Sequence, residues 1–373
     1  MTRLKIRAVR ADILDLPIRR PHTFASLTIT KQSYLLVRLQ TEEGIEGVGE
    51  GVTAGDPWWG GESVEGMKSM IDSYLAPLLI GEDATRFGLL RRKMNTVAAG
   101  NPSAKAALEM ALLDAWAKAL EVPLHELLGG IYRDSIPTTW ALATADVAKD
   151  CEEAQRKRET HGITRFKVKI GAAEPERDVA RIAETVRVLG PRASVRIDLN
   201  QAWDELTATR WLPELESRGL DLVEQPIQRW NLDGMARLAA MLRIPILADE
   251  SLYTIQDALE IVRRAAADIF ALKIPKSGGL FEVKKIAAIA EAAGLPCYGG
   301  STLETSIGTA ASIHLYCSIP NLTAGCELFG PLWLADDIVE ESVAIRDGQV
   351  WLPQGRGIGV RLDEQKVRRY LRA

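Results

Sequence analysis

Over the first 130 positions the hydrophobic pattern changes once, from alternation to helical spacing. Leu4–Leu16 and Tyr34–Gln40 alternate apolar with polar residues as half-buried strands do, and Gly44-Ile45-Glu46-Gly47-Val48-Gly49 reads as a turn into a third. Apolar residues then recur every three or four positions near 62–80, 84–96 and 102–120. The last of these opens on Asn101 as a cap with Pro102 in the first turn, and its Ala107, Leu108, Ala111, Leu112 and Trp116 form a core-packing face. Strands followed by helices predict an α+β unit over residues 1–130.

From about residue 135 the rhythm becomes strand, helix, strand, helix. Candidate strands are Thr138–Ala143, Arg165–Ile170, Ser194–Asp198, Leu220–Val223, Ile246–Ala248, Ile269–Lys273, Pro296–Tyr298 and Leu322–Glu327, each separated by room for one helix. This predicts the α/β class, a TIM-type (β/α) barrel of seven or eight units over 131–330. A Rossmann sheet is disfavoured by the number of units and by the lack of a G-x-G-x-x-G after the first strand. The remaining segment, 331–373, carries strand-like Val350-Trp351-Leu352 and Gly357–Val360 and is expected to return to the N-terminal unit.

Composition narrows the chemistry. A net charge of −4 and no basic arm argue against nucleic acid, and no apolar run approaches a membrane span. The start, MTRLKIRAVRADILDL, is too charged for a signal peptide. Cys151, Cys297, Cys317 and Cys326 form no C-x-x-C pair, which fits reduced thiols in a cytoplasmic protein. The four histidines show no metal-ligand spacing.

Strand ends hold the chemistry, because barrel active sites lie at the C-terminal ends of the strands. In order they present Lys167 and Lys169, Asp198 and Asn200, Glu224, Asp249 and Glu250, Lys273, Gly299 and Gly300, and Glu327. Three carboxylates converging in a water-poor space need a cation, and an all-oxygen set points to Mg²⁺ or Mn²⁺ held by Asp198, Glu224 and Asp249. The bland reading makes these acids helix caps, but it leaves the lysines unexplained. Lys167 and Lys169 share one face of their strand, so both point inward. Burial there is expected to lower both pKa values toward acid–base work, with a salt-bridge ladder as the alternative for Lys167. Such a site suits removal of a proton next to a carboxylate, where positive charge must stabilise an enediolate.

These residues sit in segments that resemble the enolase superfamily. The matching stretches are Phe166-Lys167-Val168-Lys169-Ile170-Gly171, Arg196-Ile197-Asp198-Leu199-Asn200, Val223-Glu224-Gln225-Pro226, Leu247-Ala248-Asp249-Glu250-Ser251 and Ala271-Leu272-Lys273. Within it the chain looks most like the muconate and chloromuconate cycloisomerases of the muconate lactonizing subgroup. That likeness is carried by Ile274-Pro275-Lys276-Ser277-Gly278-Gly279, Tyr298-Gly299-Gly300-Ser301-Thr302-Leu303-Glu304, Cys326-Glu327-Leu328-Phe329-Gly330-Pro331, Arg20-Pro21-His22, Gly49-Glu50-Gly51 and Trp59-Gly60-Gly61-Glu62-Ser63. The resemblance implies a capping domain whose loops near 20–30 and 50–60 cover the barrel mouth. It implies lactonisation of cis,cis-muconate, a dicarboxylate, in catechol breakdown. Lys169 would move the proton at the α-carbon, Glu327 would be the acid near the lactone, Lys167 would tune Lys169, and Lys273 would add charge from the other face. Asn200, Gly299, Gly300, Ser301 and His22 would hold substrate, and the protein would be a homo-oligomer, often an octamer. Ala54-Gly55-Asp56-Pro57-Trp58-Trp59 departs from the glycine-rich capping loop of the subgroup; Asp56 and Pro57 are expected to charge and stiffen it. Pro275 and Ser277 depart too, from the alanine and asparagine expected beside Lys276.

Other readings remain at this stage: an o-succinylbenzoate synthase, an acylamino acid racemase or a dipeptide epimerase, all two-lysine relatives, or a barrel that only binds a carboxylate or metal. A mandelate racemase type would need a late histidine base, and His314, the only late one, falls in a helical pattern.

Overall fold

The computed structural model describes residues 3–55 and 57–372, so Asp56 lies outside the described residues. The N-terminal unit is a three-stranded antiparallel sheet, Ile6–Leu16, Gln32–Thr41 and Glu46–Gly51, with the long middle strand at its centre. Helix Pro102–Ala119 lies against its third strand and is buried nearly all round. Glycine makes that contact possible. A Cβ on Gly47 would stand 2.0 Å from the Ala111 carbonyl oxygen, and one on Gly49 2.1 Å from that of Ala107. Asn101 precedes this helix as expected but does not cap it. Its backbone is left-handed (φ 53°) and its side chain makes no capping bond. Glu62 does the capping from outside, accepting the N–H of Ser103 at 2.8 Å and of Ala104 at 3.4 Å. A carboxylate reaching two orphan amides at the positive end of the helix stabilises it more than a neutral amide would. The helical region expected near 62–80 runs Val64–Met70, widens into a π turn over Ile71–Leu75 and resumes at Ala76–Leu79.

The second unit is a seven-stranded parallel sheet: Thr139–Leu142, Arg165–Lys169, Ser194–Asp198, Leu222–Glu224, Ile246–Ala248, Ile269–Leu272 and Cys297–Gly299, paired in sequence order. The expected eighth strand, Leu322–Glu327, is reduced to one bridging residue. Cys326 pairs with both Gly299 and Thr138 and so joins the last strand to the first. Its N–H donates to Pro137 O at 2.9 Å and its carbonyl accepts from Thr139 N at 2.7 Å. One residue suffices to close the ring because the neighbouring strand ends are themselves short.

Alternation along these strands fills the barrel in layers. Leu222, Leu247, Ile269, Ala271 and Tyr298 form an apolar plug of their own. Two residues further along three of those strands stand Glu224, Asp249 and Lys273. The plug is the floor of the site, and it excludes water from below.

The tail contacts both the barrel segment and the N-terminal unit. Gln349–Trp351 pairs with Ser135–Pro137, whereas Gly357–Val360 makes no strand. At the end Arg372 donates its N–H to Ile13 O at 2.9 Å and clamps Asp15 with two guanidinium bonds. Among the described residues no helix is long and apolar enough to cross a membrane. All four cysteines are free, three of them buried.

His314 is buried in helix Ser306–Cys317. Its Nδ1 lies 3.0 Å from Nδ1 of His125, and its Nε2 3.2 Å from Ile358 O. Burial, with His125 beside it, depresses His314 to about 3. It is therefore neutral in the fold, while an unfolded chain protonates it near pH 6.5. Its stabilising contribution is complete above pH 6.5 and is lost as pH falls toward 3.

Two outcomes are expected. Gly49→Ala should lower stability by about 1–3 kcal/mol in urea titrations, because its Cβ would press on helix backbone that cannot yield. For His314→Asn, stability should fall less steeply than wild type between pH 6 and 4, by up to about 1.4 kcal/mol per pH unit.

Candidate active site

Each strand delivers its ionisable residue where the barrel opens, and the side chains meet in a web of ion pairs. Lys167, 1% exposed, lies 3.0 Å from Glu224 Oε2 and 3.5 Å from Asp198 Oδ2, and it also contacts Glu327. Lys169 Nζ donates to Asp198 Oδ2 at 2.5 Å and Asn200 Oδ1 at 3.0 Å. On the far side Lys273 donates to Asp249 Oδ2 at 2.6 Å. Asp249 takes a second lysine, Lys276, through Oδ1 and its own carbonyl, both at 2.7 Å.

Electrostatics follow from this crowding. Burial raises Glu224 well above the carboxylate range, and Asp198, Glu327 and Asp249 add to it, while Lys167 opposes. Burial would raise Asp249 too, but Lys273 and Lys276 outweigh it and hold the acid low. A lowered pKa was expected for Lys167, which goes the other way, and Lys273 is raised too. Burial does pull both down, yet Glu224, Glu327 and Asp198 lift Lys167, and Asp249, Glu327 and Glu224 lift Lys273. Desolvation loses because several acids favour each ammonium at once in the same low-dielectric surroundings.

Among the described residues no three His, Cys, Asp or Glu side chains are already grouped as a ligand set, and the acids are paired with lysines instead. The residues nevertheless fit a hard divalent ion. Asp198, Glu224 and Asp249 are all buried; Asp249 raises the pKa of Asp198, and both of these raise that of Glu224. Glu224 Oε1 is buried with no hydrogen-bond partner. The donors are carboxylate oxygens on three adjacent strands, the ligand chemistry of Mg²⁺ or Mn²⁺.

Above these acids lies a small closed cavity of about 20 Å³, lined by Lys169, Lys273, Asn200, Ser301, Glu327 and His22, with Phe24, Ala54, Trp59, Leu303 and Phe329 completing the wall. His22 is buried there, kept neutral by desolvation and by Lys169, Arg20 and Lys167. Ser301 lines the cavity, but its hydroxyl donates to Glu304 at 2.5 Å. Gly299 and Gly300 do not line it, and their amides are committed to Gly325 O and Leu272 O at 2.9 and 2.8 Å. Packing explains both glycines. A Cβ on Gly299 would meet Tyr316 at 2.6 Å, and one on Gly300 would meet the Lys273 stem at 2.6 Å. They shape the site without offering a donor to a carboxylate.

Three residues at the site, Lys276, Trp59 and Gln225, stand outside the set that the strand ends suggested, and a fourth, Glu250, belonged to that set without a role. Lys276 lies within the helical turn Ile274–Ser277, which aims it back at Asp249. Glu250 accepts from Asn200 at 2.9 Å and from the Trp59 indole at 3.2 Å; burial and its acidic neighbours raise it to about 7. Trp59 itself stacks on Tyr253 and lies 4.2 Å from the Lys273 ammonium. Gln225 ties two strand ends together, accepting from Asp249 N and Ser251 N and donating to Ser251 Oγ. Its backbone, like that of Asn200, is in the left-handed region (φ 34° and 43°), an unusual conformation for residues other than glycine. Adjacent acidic strand ends and an aromatic capping loop were the available signals for Glu250 and Trp59.

Residues 8–129 match the mandelate racemase/muconate lactonizing enzyme N-terminal domain, and 149–366 the enolase C-terminal domain-like family. The chain belongs to this branch of the enolase superfamily. A chloromuconate cycloisomerase of Pseudomonas sp. (strain P51) is 46% identical over 99% of this chain and 100% of its own length. Muconate cycloisomerase 1 of Rhodococcus opacus is 44% identical over the whole of both chains. The crystal structure of a muconate lactonizing enzyme from Pseudomonas fluorescens, complexed with muconolactone, superposes with a TM-score of 0.97 at 44% identity, covering all of both chains. In this superfamily fold, ion-pair webs of acids and lysines at the strand ends are the features to test.

Addition of Mn²⁺ is expected to raise the thermal unfolding midpoint, with a stabilisation of about 2.7 kcal/mol when the ion is at 100 times its Kd. Glu224→Gln and Asp249→Asn should each abolish the shift in differential scanning fluorimetry.

Proposed function

We propose that this chain is a divalent-metal-dependent muconate cycloisomerase, interconverting cis,cis-muconate and muconolactone in catechol breakdown. The observation that carries the reading is the placement of two ammonium groups, Lys169 and Lys273, on opposite sides of one closed cavity whose rim also holds Glu327. Full-length relatives that are muconate and chloromuconate cycloisomerases support it. Chloromuconate is the second reading, because a chloromuconate cycloisomerase and a muconate cycloisomerase are equally similar to this chain, each at 46% identity.

In the forward direction one carboxylate oxygen of the diene attacks the carbon that becomes the lactone C–O centre. Charge moves to the other carboxyl group as an enolate, and its α-carbon takes a proton. Asp198, Glu224 and Asp249 would hold Mn²⁺ or Mg²⁺, which would supply positive charge against that enolate. Lys169 donates the proton to the α-carbon and regains one from solvent; in reverse its amine accepts it. Asn200 fixes Lys169 by accepting its second N–H at 3.0 Å. Lys167 remains an ammonium locked among Glu224, Glu327 and Asp198, so it positions Glu327 and does not itself exchange protons. Lys273 faces the cavity from the other side as fixed positive charge. Buried aromatics, Phe24 and Phe329, exclude water from the enolate. The protein works in the cytoplasm as a homo-oligomer, an octamer by resemblance.

Lys169→Ala should lower kcat for muconate by about 10³-fold or more, and Lys273→Ala should lower it too while retaining α-proton exchange. Spectrophotometric assay at the diene absorbance, with deuterium incorporation into muconolactone in D₂O, reads both. If Lys169→Ala exchanges the α-proton at the wild-type rate, Lys169 is not the proton donor. Turnover of 3-chloromuconate with a higher kcat/KM than muconate would favour the second reading.

A further inference from the structure

A second cavity, of about 780 Å³, lies behind the loop that carries His22. It is of a size that holds a small molecule, and the catalytic pocket is on the other side of its wall. His22 faces that pocket, while its neighbours Pro21 and Thr23 line the second cavity. Two aromatic contacts complete the partition: Trp140 with Phe329 at 4.9 Å, and His22 with Trp333 at 5.9 Å.

The charge within is unbalanced in a specific way. Lys157 is only 8% exposed, and among the described residues its ammonium has no hydrogen-bond acceptor and no ion pair within 4 Å. It lies instead over the face of Trp140, 3.9 Å from the ring centre. Glu153, the nearby acid, is engaged elsewhere. Both of its oxygens accept from Arg20 Nε at 2.8 Å, and Arg156 lies 3.9 Å away. Arg20 is satisfied in turn, its remaining N–H groups donating to Pro21 O and Ala141 O. Arg19 is exposed at the rim. Burial, together with Arg156, Arg19 and Arg20, depresses Lys157 to about 8 against the opposing pull of Glu153. An ammonium desolvated to that degree gains more from an incoming anion than a surface lysine does.

We propose that this cavity is a second ligand site, taking a small organic anion whose carboxylate pairs with Lys157 and whose apolar body lies along Leu332. The chemistry selects both halves. Lys157 and Arg19 recognise the charge, and half-buried Leu332 offers an apolar contact, with the fully buried Trp140 and Trp333 behind it. Exposed Glu152 at the cavity edge disfavours ligands carrying a second anionic group there.

Calorimetric titration of the Mn²⁺-loaded protein with benzoate tests the site, alongside a crystal soaked in benzoate. Binding is expected in wild type, with the carboxylate on Lys157 and the ring against Leu332. Lys157→Met keeps the side-chain volume and should weaken that binding by about 10-fold or more, with turnover of muconate unchanged. Arg19→Gln, on the exposed rim, should weaken it by about 3-fold and serves if Lys157→Met does not fold. Inorganic phosphate, with no ring to bury, should bind about 10-fold more weakly than benzoate. Unchanged benzoate affinity in both variants overturns the proposal, as does benzoate found only in the catalytic pocket or nowhere. Equal affinity for phosphate and benzoate overturns the ligand class.

Discussion

Four buried carboxylates within reach of one another set the constraint on which the rest of this structure depends. Asp198, Glu224, Asp249 and Glu327 are each at most 5% exposed. Unpaired, such a set would not stay ionised, because an isolated charge in a low-dielectric interior costs several kcal/mol. The chain answers with lysines from three different barrel positions. Lys167 and Lys169 serve Asp198 and its neighbours, while Lys273 and Lys276 serve Asp249. Strand alternation then becomes obligatory. A slip of one residue in the register of Arg165–Lys169 would turn both of its lysines out of the barrel and leave the acids unpaired.

The same constraint explains the packing beneath and around the site. Ion pairs of this kind gain from a dry surrounding, and the apolar plug of Leu222, Leu247, Ile269, Ala271 and Tyr298 supplies it from below. From above, the N-terminal unit supplies Phe24, Ala54 and Trp59. Two distant parts of the chain must therefore meet over the barrel mouth. Glu50, at the end of the third N-terminal strand, holds one such junction by accepting from the N–H and hydroxyl of Thr305. Burial, with Glu304 and Asp337 close by, raises Glu50 to about 8, so it keeps its proton at neutral pH and adds no further negative charge to an acidic neighbourhood.

How much of this could be read from the chain depends on whether the signal was local. Asp198, Glu224, Asp249, Lys169 and Lys273 each close an apolar run, and the run alone places them at strand ends. Other features depend on partners far away in sequence. The cap on Pro102–Ala119 comes from Glu62, which carries no mark of that role, whereas the adjacent Asn101 looks suitable and is turned into a left-handed conformation. The lowered pKa expected of Lys167 failed for a related reason. Burial could be anticipated from the strand pattern, but the net sign against three opposing acids depends on distances only the fold supplies. Gly299 and Gly300 matched a family motif and so suggested anion binding, yet a motif does not say which way a missing Cβ points.

Trp59 shows how closely the two units are joined chemically. Its indole lies over Lys273, donates to Glu250 and stacks on Tyr253, so one capping residue touches the ends of two adjacent barrel strands. It also lines both the catalytic cavity and a neighbouring one of about 320 Å³, together with Asn200. A flat indole is well suited to such a partition: one face satisfies a cation, the edge donates one hydrogen bond, and the remainder is apolar. With about 20 Å³ free, the catalytic cavity holds no more than a water molecule. A dicarboxylate needs more room than that, and Trp59, beside both Lys273 and Glu250, is one of the side chains that bound the space.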